Sequence, residues 1–316
     1  MAHSEVSAPV APAGYFENLE AHALSPGWAK KVPQMWAAPR SRFVPAVWRY
    51  AQARAALDAA CAFVSPEFAE RRNLIMVNPV PDNVYPTCRN LVAAYQLVLP
   101  GEIARSHRHA PNALRLILDA GGATSTIVNG ERIEVAPGDV VLTPSWHWHG
   151  HSNTGDTPAF WIDFLDVPLV QNLECMFFED HPQRNEPARG DAPDSPLRYK
   201  GDVLARLARE HGEYALDTGS LHTTGVHVLG LERGAKHSQP KRIDNNLYTV
   251  VAGSVRMTIE RLGTIELRRG DVAVVPCWHE FSIEGTADWS QLVRVTDEPA
   301  LHALGFRDVS AAAQEA

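Results

Sequence analysis

The sequence predicts an all-β core of two tandem barrels preceded by a helical arm, and three observations predict it. From about residue 74 the chain alternates short β-branched runs with turns containing Gly, Pro and Asn, the pattern of a barrel or sandwich. The stretch Gly138-Asp139-Val140-Val141-Leu142-Thr143-Pro144-Ser145-Trp146-His147 recurs as Gly270-Asp271-Val272-Ala273-Val274-Val275-Pro276-Cys277-Trp278-His279, at a constant offset of 132 with no gap. Such a repeat implies a duplicated barrel. Ahead of the strands, the apolar spacing is helical.

In chain order, residues 15–29 are amphipathic in part and residues 33–45 form a Pro-rich extended link. Residues 47–63 are Ala-rich, with Trp48, Ala51, Ala55, Ala59 and Ala62 at helical spacing. Strands are expected at 91–99, 113–118, 125–128, 132–135 and 160–167. Asn129-Gly130 is a hairpin turn and Pro137-Gly138-Asp139 a second turn. Residues 181–200, rich in Pro, Arg, Asp and Gly, are the best candidate linker. The expected division is a helical arm at 1–75, a metal-binding barrel at 76–185, and a linker with a second, metal-free barrel at 186–316.

At 316 residues and 45% hydrophobic, the chain buries a large core and is long enough for two domains. Its net charge of -8, without runs of like charge, argues against nucleic acid and anionic membranes as partners. Residues 1–14 lack the charged and apolar regions of a signal peptide, and no stretch approaches the ~18 apolar residues of a membrane span. A cytoplasmic protein is expected. The four cysteines are scattered without a CxxC, which fits reduced thiols.

The chemistry concentrates in the first repeat. His107 and His109 stand one residue apart on a predicted strand and face the same way, and His149 from a neighbouring strand completes a three-histidine face for a divalent metal. Arg115 lies in the apolar run Ala113-Leu114-Arg115-Leu116-Ile117-Leu118. An arginine there is costly to bury unless it meets an anion, and its planar fork fits a carboxylate. An interior salt bridge is the plainer reading of the same residue. In the second repeat His149 maps onto Phe281 and His151 onto Ile283, and the His-x-His pair is best matched by His237-Ser238-Gln239. His237 and His279 then look like remnants, Trp146, Trp148 and Trp161 like barrel core, and His147 like a structural residue.

The spacing Gly101, five residues, His107-x-His109, then Gly138, five residues, Pro144, four residues, His149, three residues, Asn153 resembles the two motifs of the cupin β-barrel. Many cupins add a glutamate four or five residues after the second histidine, but here those positions are Ala113 and Leu114. Three neutral imidazoles leave a divalent ion its full charge and open positions, suited to an anionic chelating substrate and O2.

The wider chain resembles the gentisate 1,2-dioxygenase family of ring-cleaving enzymes. The likeness runs through Pro45-Ala46-Val47-Trp48-Arg49-Tyr50, Glu70-Arg71-Arg72-Asn73-Leu74, Ala94-Tyr95-Gln96, the His-Arg-His stretch, Thr143-Pro144-Ser145-Trp146 and Trp161-Ile162-Asp163-Phe164-Leu165-Asp166. The resemblance implies a bicupin, two tandem double-stranded β-helix jelly-roll barrels. It implies Fe(II) as cofactor, and a 2-hydroxybenzoate, gentisate or a substituted salicylate such as 5-nitrosalicylate, as substrate. O2 would be inserted between the carboxyl- and hydroxyl-bearing carbons, and the assembly would be a homotetramer.

The resemblance also matches His151 and Asp163 to catalytic positions, where a carboxylate-oriented imidazole would take the phenol proton. It matches Arg115 and Gln96 to substrate binding, with one of Arg71 and Arg72 reaching over the substrate. Val92 replaces the family's usual aromatic four residues before the glutamine, which points to a different ring shape or substituent. The same three ligands also permit a non-oxidative isomerase or hydrolase, or a non-catalytic aromatic-acid-binding cupin.

Overall fold

A computed structural model describes residues 10–29, 35–69 and 71–306. The first nine residues, Pro33 and Glu70 lie outside the described residues. Residues 1–39 form a unit of their own, in which Tyr15–Ala21 is a helix with no buried residue and Gly27–Ala29 a single 3-10 turn. Residues 40–316 form the second unit and contain both barrels.

The first barrel packs two six-stranded sheets face to face. One runs, neighbour to neighbour, Arg198–Tyr199, Val140–Thr143, Ala113–Asp119, Ala159–Leu165, Val92–Val98, Arg72–Ile75; the other runs Phe178–Asp180, Ile103–His109, His149–Asn153, Thr124–Val128, Glu131–Glu134, Gly190–Asp191. The second barrel repeats the plan, from Ala46–Trp48 through Val272–Val275, Asn246–Ala252, Trp289–Thr296 and Gly225–Glu232 to Glu213–Ala215. Its facing sheet has four strands, Lys236–Gln239, Phe281–Gly285, Ser254–Ile259 and Gly263–Arg268.

Strand Val92–Val98 is buried at every position because both of its faces are covered. Ala93, Tyr95 and Leu97 join the core shared by the two barrels, whereas Val98 belongs to the interior of the first. That double burial explains why the strand reads as a continuous apolar run rather than an alternation. The hairpin turn is as expected, with Asn129 and Gly130 both at positive φ (46° and 82°), as a type I′ turn requires.

The end of the arm from residue 46 and the end of the expected linker are parts of the repeat itself. Residues 46–48 pair with the second barrel, and residues 198–199 pair with the first at the corresponding strand, Val47 opposite Ala273 and Arg198 opposite Val141. A helix follows each: Tyr50–Ala60 and Gly201–His211. The aspartate of each repeated Gly-Asp turn holds the start of one of these helices. Tyr50 N–H donates to Asp271 at 3.0 Å, and Gly201 N–H donates to Asp139 at 2.8 Å. Within 181–200, Gly190–Asp191 and Arg198–Tyr199 are therefore strands of the first barrel, not free linker; paired backbone overrides the turn-forming composition.

Candidate metal centre

His107 and His109 close the strand Ile103–His109, and His149 opens its neighbour His149–Asn153, directly opposite His107. A register irregularity between Ala104 and His107 sits just ahead of the pair. The candidate ligand atoms of the three imidazoles lie within 4.8 Å of one another. Each ring is aimed by a backbone carbonyl on its other nitrogen. Nδ1 of His107 lies 3.2 Å from Arg105 O, that of His109 2.8 Å from Pro111 O, and that of His149 2.9 Å from His147 O. With Nδ1 as donor, every Nε2 keeps its lone pair for a metal, the arrangement that fixes tautomer and orientation in metal-binding histidines.

Burial makes these rings neutral. Desolvation, reinforced by Arg71 and by His109, pushes His107 down to about 3, and burial lowers His109 and His149 as well. Neutral imidazoles are what a cation needs, so no proton competes for the site at pH 7. Phe178, from the short strand after the first barrel's last helix, stacks on His107 at 5.2 Å and 28°. Nothing in the exposed run 171–178 marked that residue beforehand.

Below the imidazoles lies a buried polar network. Arg115 and Asp163 are cross-strand partners, paired at 3.1 Å between Nη2 and Oδ1, each only 3% exposed. Arg115 Nη1 also donates to His151 and, at 3.2 Å, to Thr126 Oγ1. Thr126, which sequence reasoning passed over, lies opposite His151 in the sheet and contacts its Nδ1 at 3.2 Å. His151 is held neutral by burial and by the charges of Arg115 and Arg71.

The two arm arginines part company. Arg71 donates through Nε to Gln96 Oε1 at 3.0 Å and lies 3.7 Å from Asp163, whereas Arg72 makes a double hydrogen bond to Glu102 at 2.9 and 2.7 Å. Asp163 directs its ion pairs to Arg115 and Arg71; it braces the guanidiniums, and the expected carboxylate orientation of His151 is replaced by Arg115 and Thr126. Period two places Val92 and Ala94 on the Gln96 face of their strand. Trp161 has a foot in both roles, since it belongs to the barrel core and carries Arg115 over its ring at 5.2 Å.

The second barrel shows the same frame with a different interior. Phe281 takes the place of His149, and Gln239 lies opposite it as His107 lies opposite His149. Trp146 N–H donates to His109 O, and Trp278 N–H to Arg242 O, so the structure matches Arg242 rather than Gln239 to His109. His237 is displaced to a position opposite Ile283, where its Nδ1 lies 3.7 Å from Glu213. This corrects the alignment on His237-Ser238-Gln239, which a shift along the Lys236–Gln239 strand and a longer connection to Tyr248 had concealed. Tyr248 and Arg294 occupy the positions of Arg115 and Asp163. His279 matches His147, and its Nδ1 lies 3.0 Å from Cys277 O just as His147 Nδ1 lies 3.0 Å from Ser145 O.

Comparison with known proteins agrees with this geometry. The cupin domain family model matches residues 94–166, the first barrel. The 1-hydroxy-2-naphthoate 1,2-dioxygenase of Nocardioides sp. (strain KP7) is 31% identical over 85% of this chain and 79% of its own. Gentisate 1,2 dioxygenase 1 of Aquipseudomonas alcaligenes is 29% identical over 92% of this chain and 94% of its own. The crystal structure of a salicylate 1,2-dioxygenase from Pseudaminobacter salicylatoxidans superposes with a TM-score of 0.82 at 26% identity, covering 92% of this chain and 94% of that one. Similarity to such enzymes along nearly the whole chain, in a protein with a duplicated barrel and a three-imidazole face, places it in the gentisate 1,2-dioxygenase family of metal-dependent, ring-cleaving bicupin dioxygenases.

Proposed function

We propose that this dioxygenase holds Fe(II) at His107, His109 and His149. In our reading it cleaves a 2-hydroxybenzoate between its carboxyl- and hydroxyl-bearing carbons, with gentisate or a 5-substituted salicylate as substrate. The observation that carries the reading is the pair of guanidiniums, Arg115 and Arg71, braced by Asp163 beside the three-imidazole face. When bound, iron supplies a Lewis-acidic, one-electron-active centre for O2 chemistry.

The chain's own residues do the rest. Arg115 binds the substrate carboxylate with its planar fork, and because Asp163, Thr126 and Trp161 already orient that fork, little rotamer freedom is lost on binding. Arg71 adds positive potential from the arm; burial first, and then the charges of both guanidiniums, keep His107 and His151 neutral. His151 shares a hydrogen bond with the phenolic oxygen, and Gln96, tethered to Arg71, orients a ring substituent. Val92, an aliphatic side chain on the pocket face, leaves room for that substituent. Trp161 packs edge-on against His151, and Phe178 covers one face of His107.

The test is O2 consumption by the Fe(II)-loaded enzyme over gentisate, salicylate, 5-nitro- and 5-halosalicylates and 1-hydroxy-2-naphthoate. Ring cleavage is expected with Fe(II) and O2 together and for acids only; the corresponding amides are not cleaved. Turnover without O2, or equal turnover with Zn(II), would overturn the iron assignment. We further propose that the metal resides in the first barrel alone and that the enzyme is a cytoplasmic homotetramer. Phe63, Phe68 and Val84, each about four-fifths exposed, supply apolar surface for subunit contact, and mass measurement in solution checks the assembly.

A further inference from the structure

The two halves clasp each other. Asn112 donates its backbone N–H and its Nδ2 to the Asp166 carboxylate at 2.8 and 3.1 Å, and its Oδ1 accepts from Ser145 N–H at 2.9 Å. One repeat later Asn245 makes the same three bonds, to Asp297 at 2.7 and 2.6 Å and from Cys277 N–H at 3.1 Å. Each aspartate is completed by a donor from the other half. Thr223 gives its hydroxyl to Asp166, and Asn90 gives Nδ2 to Asp297 at 2.8 Å. Asn90 and Thr223 stand 133 positions apart, as do Asn112 and Asn245, so the exchange is reciprocal about the repeat. Both carboxylates are fully buried, where every acceptor site needs a donor.

Only the first clasp reaches the imidazoles. Ser145 also gives Oγ to Ala110 O at 2.5 Å, and Trp146 N–H donates to His109 O at 2.9 Å. Residues 110–112 and 145–147 are thereby knitted into one body, and that body contains Pro111 O and His147 O, the carbonyls that aim the His109 and His149 rings. In the second barrel the equivalent loops lead to Arg242 and Phe281.

We propose that Thr223, acting through Asp166 and Asn112, is a positioning residue for His109 and His149, so that the second barrel keeps the metal ligands of the first in aim. The inference rests on the triad being the metal centre. Loss of groups that orient ligands weakens metal binding by roughly 10–100-fold, and a single bond to a charged acceptor belongs at the low end, about tenfold.

Zn(II), which takes the same nitrogen donors without redox chemistry, is the probe. Its equilibrium affinity for the full-length apo-protein is measured alongside the thermal midpoint in the parent, Thr223→Val, Thr223→Ala, Thr223→Ser, Asn90→Ala and His149→Ala. Thr223→Val and Thr223→Ala are expected to bind Zn(II) about tenfold more weakly, and Thr223→Ser to restore parental affinity. Asn90→Ala, which opens the mirror clasp, is expected to lower the thermal midpoint while its affinity stays within about twofold of the parent. Parental affinity in Thr223→Val and Thr223→Ala, or an equal loss in Asn90→Ala, would overturn the inference. A parent that binds no better than His149→Ala would remove the metal centre itself, and this inference with it.

Discussion

The two barrels share a scaffold and differ in what fills it. At the top of the first, His107, His109, His149, His151, Arg115 and Asp163 line one interior; at matched positions in the second stand Gln239, Arg242, Phe281, Ile283, Tyr248 and Arg294. Yet both keep the Gly-Asp turn, the strained tryptophan after it (Trp146 and Trp278 at φ 64° and 65°) and the Asp–Asn clasp. What both halves keep is the hydrogen-bonded scaffold, and what differs is the set of side chains that fills each interior. Phe281 and Ile283 close the second interior with apolar side chains, joining Tyr248, Val250 and Met257 in a single core.

The largest expected effect breaks the contrast at its centre. His149→Ala should abolish metal retention and turnover, whereas His279→Ala, altering the counterpart of His147, should leave metal content unchanged. Elemental analysis after gel filtration decides this, and equal loss in both variants would contradict the assignment of the first barrel.

Next in size is the carboxylate anchor. Removing one member of a buried charged pair typically costs about 2–5 kcal/mol, so Arg115→Ala should lower kcat/KM by roughly 30-fold or more while the metal stays bound. Arg115→Lys should also fall short, since a point charge does not replace the fork. Arg72→Ala, which breaks the Glu102 pair away from the site, should lower the thermal midpoint with a smaller effect on kcat/KM; if it matched Arg115→Ala, the division between the two arm arginines would be wrong.

A third comparison uses pH. The buried imidazoles of the first barrel have folded pKa values below the unfolded value of about 6.5, with His107 at about 3. The unfolded chain then takes up protons first, so apo-protein stability is fully present above pH ~6.5 and falls as the pH drops from there toward 3. Each imidazole contributes at most about 1.4 kcal/mol per pH unit in that window. His149→Phe, which copies the second barrel, should flatten the decline in apo-protein urea midpoints across it, and an unchanged slope would show that His149 does not stay neutral on folding.

The smallest effects should be symmetric. Asp139→Asn and Asp271→Asn each weaken the hold on one inter-barrel helix and neutralise the partner of Arg198 or Arg49, so each should lower the thermal midpoint by a similar amount with little effect on kcat/KM. A large disparity between the two would mean that the halves are not equivalent supports.

Much of this was legible in the chain. The offset of 132 announced the duplication, because a turn needing Gly at positive φ and an aspartate to hold a helix leaves few alternatives. Histidines at alternate strand positions announced the metal face, since period two decides which side chains share a side. The buried arginine in an apolar strand was equally readable as a charge that demands a partner, and the interior salt bridge to Asp163 is the plainer of its two readings. The match of the second barrel was harder: a displaced strand register moved His237 away from the ligand position, and register depends on pairing across the sheet rather than on local spacing.

By itself, then, the sequence determined the local quantities: strand and turn periods, the repeat, and the residue types able to bind a metal or a carboxylate. Tertiary structure alone decided which of two adjacent arginines meets Gln96 and Asp163 and which meets Glu102, because successive side chains point to opposite faces and the partners lie elsewhere in the chain. It also decided that Asp163 braces arginine rather than histidine, and that residues 46–48 and 198–199 are exchanged between barrels. These are contacts between segments distant along the chain, whose energies depend on burial and geometry that no local pattern contains.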